Sequence, residues 1–220
     1  MRHIYLGHAY YKLNQYERAF QLYGKAIEIA PNYAFAYTGR GNVSDMLGDR
    51  RQAINDLNKA IELDSTDLQA YIGRGRIFWK SGQHQLAIQD FKRALKFEPK
   101  TSFDYFCVGV ANYYLGLEQQ AIQNLKKAIE LNPLNDDIYN YLGEVYRSIE
   151  NYSNAAESYQ KTVTLNPNHH AAYYNLGLTY YKLNQPYLSI RAYLMGFLHD
   201  KNALVALQSL SLRDILTGHF

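Results

Sequence analysis

A pattern of 34 residues recurs along this chain without insertion or deletion, and it constrains the fold more than any other feature. With Met1 taken as the second position of the first row, six rows fit and end near Lys201. Alanine fills position twenty in five rows, and tyrosine fills position four in five rows. Glycine fills position eight in every row: Gly7, Gly41, Gly75, Gly109, Gly143 and Gly177. A fixed period of this length is the signature of stacked structural repeats.

Each row predicts two helices joined by a tight turn. In the fifth row, Tyr139, Leu142 and Tyr146 are three or four residues apart, which places them on one helical face. Position fifteen is glycine or asparagine in five rows, and these residues accept the left-handed backbone conformation that ends many helices. In the fifth row this position is Glu150, and there we expect the cap one residue later, at Asn151.

The glycines at position eight indicate close packing between the two helices of a row. Glycine inside a helix costs about 1 kcal/mol relative to alanine, so a glycine kept at one phase must be offset by packing. Two helices approach closely only where the side chains between them are small. We therefore expect position eight of the first helix to face position twenty of the second. One such hairpin cannot bury both of its faces, so consecutive hairpins must stack.

These marks resemble the tetratricopeptide repeat (TPR). In the fifth row they are Tyr139, Leu142, Gly143, Tyr146, Ala155, Tyr159 and Pro167. The resemblance implies an all-α α-solenoid, a right-handed superhelix of six helix-turn-helix TPR units plus a C-terminal capping helix. The expected units are 1–33, 34–67, 68–101, 102–135, 136–169 and 170–201, followed by the capping helix at 202–218. Rows two and three depart from the family pattern, because Arg40 and Arg74 replace the leucine before the glycine.

Composition argues against several classes of function. The net charge of +3 is too small to indicate nucleic-acid binding by itself. The residues at the candidate groove positions vary from row to row, which argues against the recurring code of RNA-binding repeats. No apolar run reaches 18 residues, so membrane insertion is not expected. A single cysteine, Cys107, excludes an intrachain disulfide and fits a cytoplasmic protein.

No motif predicts catalysis. The chain lacks a glycine-rich phosphate loop and a nucleophile motif, so we expect no enzyme activity, no cofactor and no small-molecule substrate. His169 and His170 fall in a predicted turn with no cysteine or second histidine pair nearby, so no metal site is expected. Cys107 has no neighbour in the sequence that would lower its pKa, which is typical of a packing residue.

The resemblance implies a concave groove lined by the first helices. Positions 2, 5, 9, 12 and 13 of a row share one helical face by their spacing, and that this face is the concave one is implied by the family. The predicted groove residues are Phe103, Phe106, Val110, Tyr113, Tyr114, Arg76, Trp79, Lys80, Asn140, Glu144 and Arg147. Exposed aromatic residues gather at binding hot spots, and Arg76, Lys80 and Arg147 would orient a ligand and attract its acidic groups. We expect an extended peptide or partner helix to bind here, unless the aromatic residues simply pack against neighbouring hairpins.

Other binding modes are weighed against this groove. The carboxylate clamp of chaperone-binding TPR proteins is absent, because position five has no lysine and position six has asparagine only at Asn175. Met1 begins nearly inside a predicted helix, so self-association through an uncapped N-terminal repeat is an alternative. A fragment of a larger multidomain protein is another. An RNA-binding helical repeat is the least supported reading.

Overall fold

The computed structural model describes residues 2–199, and within that range all regular structure is α-helical. Its helices are α1 (Arg2–Lys12), α2 (Tyr16–Ile29), α3 (Ala34–Met46), α4 (Arg50–Leu63), α5 (Leu68–Lys80), α6 (His84–Ala94), α7 (Ser102–Tyr114), α8 (Glu118–Leu131), α9 (Asp136–Ser148), α10 (Tyr152–Leu165), α11 (His170–Lys182) and α12 (Pro186–His199). Odd-numbered helices are the first helices of the predicted rows, and even-numbered helices are the second. The all-α repeat fold is therefore confirmed, whereas the capping helix predicted at 202–218 lies outside the described residues.

The chain divides into two compact units, Met1–Leu117 and Glu118–Phe220. Unit 1 contains α1 to α7, and the described part of unit 2 contains α8 to α12. In unit 1 the consecutive first helices α1, α3, α5 and α7 contact one another. Within the described residues of this unit, no comparable contact joins α2, α4 and α6 to each other. The first helices are therefore closer together, and unit 1 curves towards them.

Every predicted turn contains a residue in the left-handed conformation at position fifteen. These residues are Asn14, Gly48, Gly82, Gly116, Glu150 and Asn184, and their φ angles lie between 56° and 85°. The expected shift of the cap to Asn151 is wrong, because Glu150 itself adopts φ 59°. Asn151 instead caps the start of α10, where its side chain accepts the Asn154 N–H at 3.3 Å. The invariant length of the turn thus overrides the local preference of glutamate.

The glycine at position eight faces the side chain at position twenty-four of the same hairpin. Position twenty, which was expected there, is among the three nearest neighbours only at Gly41, where an added Cβ would lie 3.1 Å from the Ala53 carbonyl oxygen. The pairs are Gly7 with Tyr23, Gly41 with Leu57, Gly75 with Phe91, Gly143 with Tyr159, and Gly177 with Tyr193. A Cβ atom added to Gly143 would lie 2.7 Å from Cε1 of Tyr159, closer than carbon atoms pack. The glycines therefore make room for one large side chain per hairpin.

Rows two and three contain an ion pair where the other rows place an apolar side chain. Arg40 donates from Nε and Nη2 to the Asp56 carboxylate, both at 2.8 Å. Arg74 donates to Asp90 in the same way, at 2.9 and 2.6 Å. The Asp56 and Asp90 side chains are only 4% and 7% exposed, so these bidentate pairs satisfy carboxylates that water hardly reaches. The hydrogen bond to Asp56 raises the pKa of Arg40, although burial opposes the shift.

Candidate functional site

In unit 1 the candidate site begins with two phenylalanines at the start of α7. Phe103 is 41% exposed and Phe106 is half-buried, and their ring centroids lie 6.3 Å apart. Thr101 and Asp104 form a capping box, in which each side chain accepts the backbone N–H of the other residue, at 3.2 and 2.9 Å. Partial burial raises the pKa of Asp104, but hydrogen bonds from the backbone lower it further, and the net shift is downward. The box fixes where α7 begins and so which way both rings point.

The other predicted aromatic residues of this patch belong mainly to the packing of unit 1. The Tyr114 ring stacks on Phe91 with 4.8 Å between centroids and 6° between planes, and the Trp79 ring lies 5.5 Å from Tyr114. Phe91 is fully buried, so these rings fill the space between α5, α6 and α7. Val110 is also fully buried, whereas Tyr113 is half-buried beside Tyr114. Phe103 is therefore the one exposed ring of the predicted patch, and the rings of Phe106, Tyr113, Tyr114 and Trp79 are half-buried.

Charged and apolar side chains of the preceding rows lie on the same first-helix face. Lys80 Nζ lies 3.3 Å from Asp45 Oδ2, joining α5 to α3, and the two side chains are 45% and 13% exposed. Arg76 lies one turn earlier on α5 and is half-buried. On α3, Phe35 and Met46 are 42% and 45% exposed. They occupy repeat positions 2 and 13, which the sequence analysis assigns to the groove face, although the list of predicted groove residues does not name them.

In unit 2 the predicted polar residues lie at different depths of α9. Asn140 is only 8% exposed and donates from Nδ2 to Glu144 Oε1 at 3.2 Å. Glu144 is half-buried, and Arg147 is exposed. The exposed rings of this unit's first-helix face come from α11 instead, where Tyr174 and Tyr181 are 58% and 69% exposed. Any contact that unit 2 makes through aromatic residues therefore depends on the sixth row more than the fifth.

Cys107 lies inside unit 1 and not on its surface. The residue is 1% exposed, and burial, with smaller contributions from Asp104 and Asp67, raises the pKa of its thiol well above the usual range. The thiol therefore stays protonated at neutral pH, and the side chain behaves as a small apolar packing group.

Asp136, Asp137 and His169 come together in unit 2, where the sequence predicted no metal site. One ligand atom from each lies within 4.8 Å of the others, and all three residues are half-buried. His169 Nδ1 accepts the Ala172 N–H at 3.2 Å and caps α11. In the neutral ring this leaves the proton on Nε2, which is then a hydrogen-bond donor and not a metal ligand. Asp136 also accepts a hydrogen bond from Asn166 at 2.7 Å, so we assign the cluster to the capping of α11 and to hydrogen bonding within the fifth row.

Sequence profiles of repeat families match most of the chain. A profile described as "TPR repeat" matches residues 7–48, 113–149 and 143–184, and one described as "Tetratricopeptide repeat" matches residues 46–102. The chain belongs to the tetratricopeptide repeat family. Its TPR repeats make it a protein-interaction scaffold of a generally non-enzymatic kind. Within residues 2–199, no helix is both long and apolar enough to cross a membrane.

Several solved structures resemble this chain over most of its length. TTC0263, a thermophilic TPR protein of Thermus thermophilus, is 19% identical with a TM-score of 0.63, covering 81% of this chain and 97% of that one. A chain in the crystal structure of the APC/C hetero-tetramer Cut9–Hcn1 is 21% identical to this one, with a TM-score of 0.66. The match covers 92% of this chain and 42% of the matched chain. The human IFIT1 dimer with PPP-AAAA is 16% identical with a TM-score of 0.69, covering 82% and 45%. At these identities the likeness shows the fold alone. No curated protein matches the sequence.

Proposed function

We propose that this TPR chain binds an extended peptide or partner helix on the first-helix face of unit 1. The observation that carries the proposal is the exposure of Phe35, Met46 and Phe103 at 42%, 45% and 41% on that face. Large apolar side chains that remain this accessible lose more water contact on binding than residues already packed in the core. The ligand is therefore expected to carry apolar or aromatic anchors.

The cations on the same face indicate the charge of the ligand. Arg76 and Lys80 lie one turn apart on α5, and Asp45 is the carboxylate that pairs with Lys80. The Lys80 side chain is 45% exposed, so it can accept a second carboxylate from a ligand while it stays beside the largely buried Asp45. We propose that an acidic side chain or a C-terminal carboxylate of the ligand occupies this position. On unit 2, considered by itself, Arg147 is exposed and is proposed to offer a contact of the same kind. We also propose a cytoplasmic location, because the only cysteine of the sequence, Cys107, is a free and buried thiol, which fits a reducing compartment.

A displayed peptide library tests the proposal. Peptides selected on the wild type are measured by calorimetry against Phe103→Ala/Phe106→Ala, with Ile29→Ala as a control because Ile29 is 70% exposed on a second helix of the same unit. We expect at least a tenfold loss of affinity in the double variant, equivalent to about 1.4 kcal/mol, and no change in the control. A peptide that binds the folded double variant as tightly as the wild type would refute the site.

Self-association through the N-terminal repeat is the second candidate. Tyr5, Leu6 and Leu13 are 70%, 41% and 64% exposed on and just after α1. Such a surface is suited to a second protein surface, including another copy of the chain. Leu6→Glu should then abolish any dimer seen by light scattering, whereas an unchanged dimer would exclude this surface.

A further inference from the structure

Unit 2 contains a cavity of about 780 Å³ that is lined mainly by α9 and α10, with smaller contributions from α8 and α11. A cavity of this volume is large enough for a small organic molecule. Its lining includes Lys126, Tyr139, Leu142, Tyr146, Ser158 and Lys161, and we refer to it as the row-five groove. None of the residues proposed to bind a peptide lines this groove, so it is distinct from that surface.

In row three an arginine fills the equivalent place. Arg74 donates to Asp90 at 2.9 and 2.6 Å, and to Asn58 at 2.6 Å. Its guanidinium carbon lies 5.9 Å from the ring centroids of both Tyr71 and Phe78. The Arg74 side chain is only 19% exposed, so these neighbours largely enclose it. This place in the repeat therefore accommodates a planar charged group that lies against aromatic rings.

The row-five groove contains the equivalents of these five residues. By repeat position, Leu142 replaces Arg74, Ser158 replaces Asp90, Lys126 replaces Asn58, Tyr139 replaces Tyr71 and Tyr146 replaces Phe78. Two aromatic residues are therefore kept, whereas the arginine and its carboxylate are replaced by shorter side chains. Leu142 and Ser158 are each only 6% exposed, so neither reaches out to fill the groove. The cavity therefore lies where row three holds its arginine side chain.

The charges of the groove are reversed relative to row three. There, a carboxylate and an amide oxygen accept hydrogen bonds from a cation. In row five Lys126 takes the position of the amide, and Lys161 places a second ammonium group 6.0 Å from the ring centroid of Tyr139. Both lysines are exposed, and Glu157 is the only acidic residue among the described residues that line the groove. The groove is therefore complementary to an anion.

We propose that the row-five groove binds a small planar anion, namely an aromatic ring system that bears a carboxylate. The rings lie against Tyr139 and Tyr146, as the guanidinium group lies against two rings in row three. The carboxylate, which is planar as the guanidinium group is, pairs with Lys126 and Lys161. The Tyr139 hydroxyl donates to the Pro133 carbonyl oxygen at 3.2 Å, which holds this ring in place before the ligand binds. Such a molecule is a ligand of the chain and not a substrate.

The first test compares three probes on the full chain by NMR titration. Naphthoate has both the rings and the charge, naphthamide has the same shape without the charge, and decanoate has the charge without the rings. We expect naphthoate to bind at least tenfold more tightly than either of the others. Absence of saturable naphthoate binding at millimolar concentration overturns the proposal. Equally tight binding of naphthamide refutes the role of the charge, and equally tight binding of decanoate refutes the role of the rings.

The second test introduces the ion pair of row three into the row-five groove. Leu142→Arg/Ser158→Asp should fold, because rows two and three hold the same pair within their hairpins. The new arginine side chain occupies the space of the ligand, so we expect at least a tenfold loss of affinity for naphthoate with an unchanged circular dichroism spectrum. A folded variant that binds naphthoate as tightly as the wild type would place the ligand elsewhere and overturn the proposal.

The third test changes the charge of the groove and leaves its rings in place. Lys126→Ala/Lys161→Ala should weaken the binding of naphthoate at least tenfold and leave the weaker binding of naphthamide unchanged. The matched control is Lys127→Ala, because Lys127 follows Lys126 in α8, pairs with Glu130 at 2.8 Å and does not line the groove. This control should bind naphthoate as the wild type does. An unchanged affinity in the double variant, or an equal loss in Lys127→Ala, would overturn the assigned site.

Discussion

The role of the glycine at position eight can be tested by making the same substitution at two helical glycines of unit 1. Gly75 in α5 faces Phe91, and an added Cβ would lie 2.7 Å from Cε1 and 3.1 Å from Cδ1 of that ring. Gly24 in α2 has open space, because an added Cβ would meet only Nη1 of Arg40, at 4.0 Å. Both changes to alanine gain the same helix propensity, so their difference isolates the packing of the ring.

The two variants should change stability in opposite directions. Gly24→Ala should stabilise the chain by up to about 1 kcal/mol, because alanine is the better helix former. Gly75→Ala places a carbon about 1 Å inside the normal contact distance, and overpacking of this kind typically costs 1–3 kcal/mol. Phe91 cannot turn outward easily, because it is fully buried and stacked on Tyr114. We expect a net loss of up to about 2 kcal/mol for Gly75→Ala, because the helix propensity of alanine offsets part of the overpacking cost.

Urea unfolding followed by circular dichroism measures both effects as shifts of the midpoint at a common slope. A double-mutant cycle with Phe91→Leu adds a direct test of the contact. The smaller side chain should cost less stability in the Gly75→Ala background than in the wild type, with a coupling of about 1 kcal/mol. If Gly75→Ala is as stable as Gly24→Ala, or if the cycle is additive, position eight is not fitted to the ring and the packing argument fails.

Two further changes have predicted signs. Glu150→Gly should stabilise unit 2 by roughly 0.5–1 kcal/mol in urea unfolding, because φ 59° strains a residue that has a side chain. The control Glu157→Gly, inside α10, should destabilise unit 2 by about 1 kcal/mol. A loss of stability in both variants would contradict the assigned turn. Burial, and secondly the nearby Tyr11, raises the pKa of Tyr23 from 10.0 to about 12 in the folded chain. The buried phenol therefore contributes its full stability below pH 10, and this contribution is lost as the pH rises towards 12, because the unfolded chain releases the proton more readily. The free energy of unfolding in urea should fall less between pH 9 and pH 11 for Tyr23→Phe than for the wild type. An equal fall in both proteins would show that Tyr23 does not cause the decline.

The helices and turns were predictable because their signals are local and repeated. Position fifteen shows both the strength of this reasoning and its limit. Glycine and asparagine in five rows identified the left-handed residue, but the same rule, applied to Glu150 alone, moved the cap to the wrong residue. A turn that must place the next helix in the same register in each row tolerates a strained residue rather than an extra one. The position within the repeat was therefore a better guide than the residue type.

The candidate site was only partly predictable, because helical spacing gives the direction of a side chain and not its depth. Phe103, Val110 and Tyr114 share a predicted face of α7, yet Phe103 is 41% exposed and Val110 is fully buried. The depth of Tyr114 depends on Phe91, which lies in another helix and receives its ring. Such contacts depend on the sizes of side chains distant in the sequence, so no single-row pattern contains them.

A comparison between rows separates departures that the fold explains from departures that it does not. Arginine at position seven occurs only where position twenty-three is aspartate, and the structure joins these side chains as Arg40 with Asp56 and as Arg74 with Asp90. Each of these unusual residues therefore has its explanation inside its own hairpin. Tyr187 and Leu194 depart from their rows just as clearly, yet more than half of each side chain stays exposed in the described structure. The first kind of departure is explained by packing within one hairpin, whereas the second leaves apolar surface exposed in the described residues.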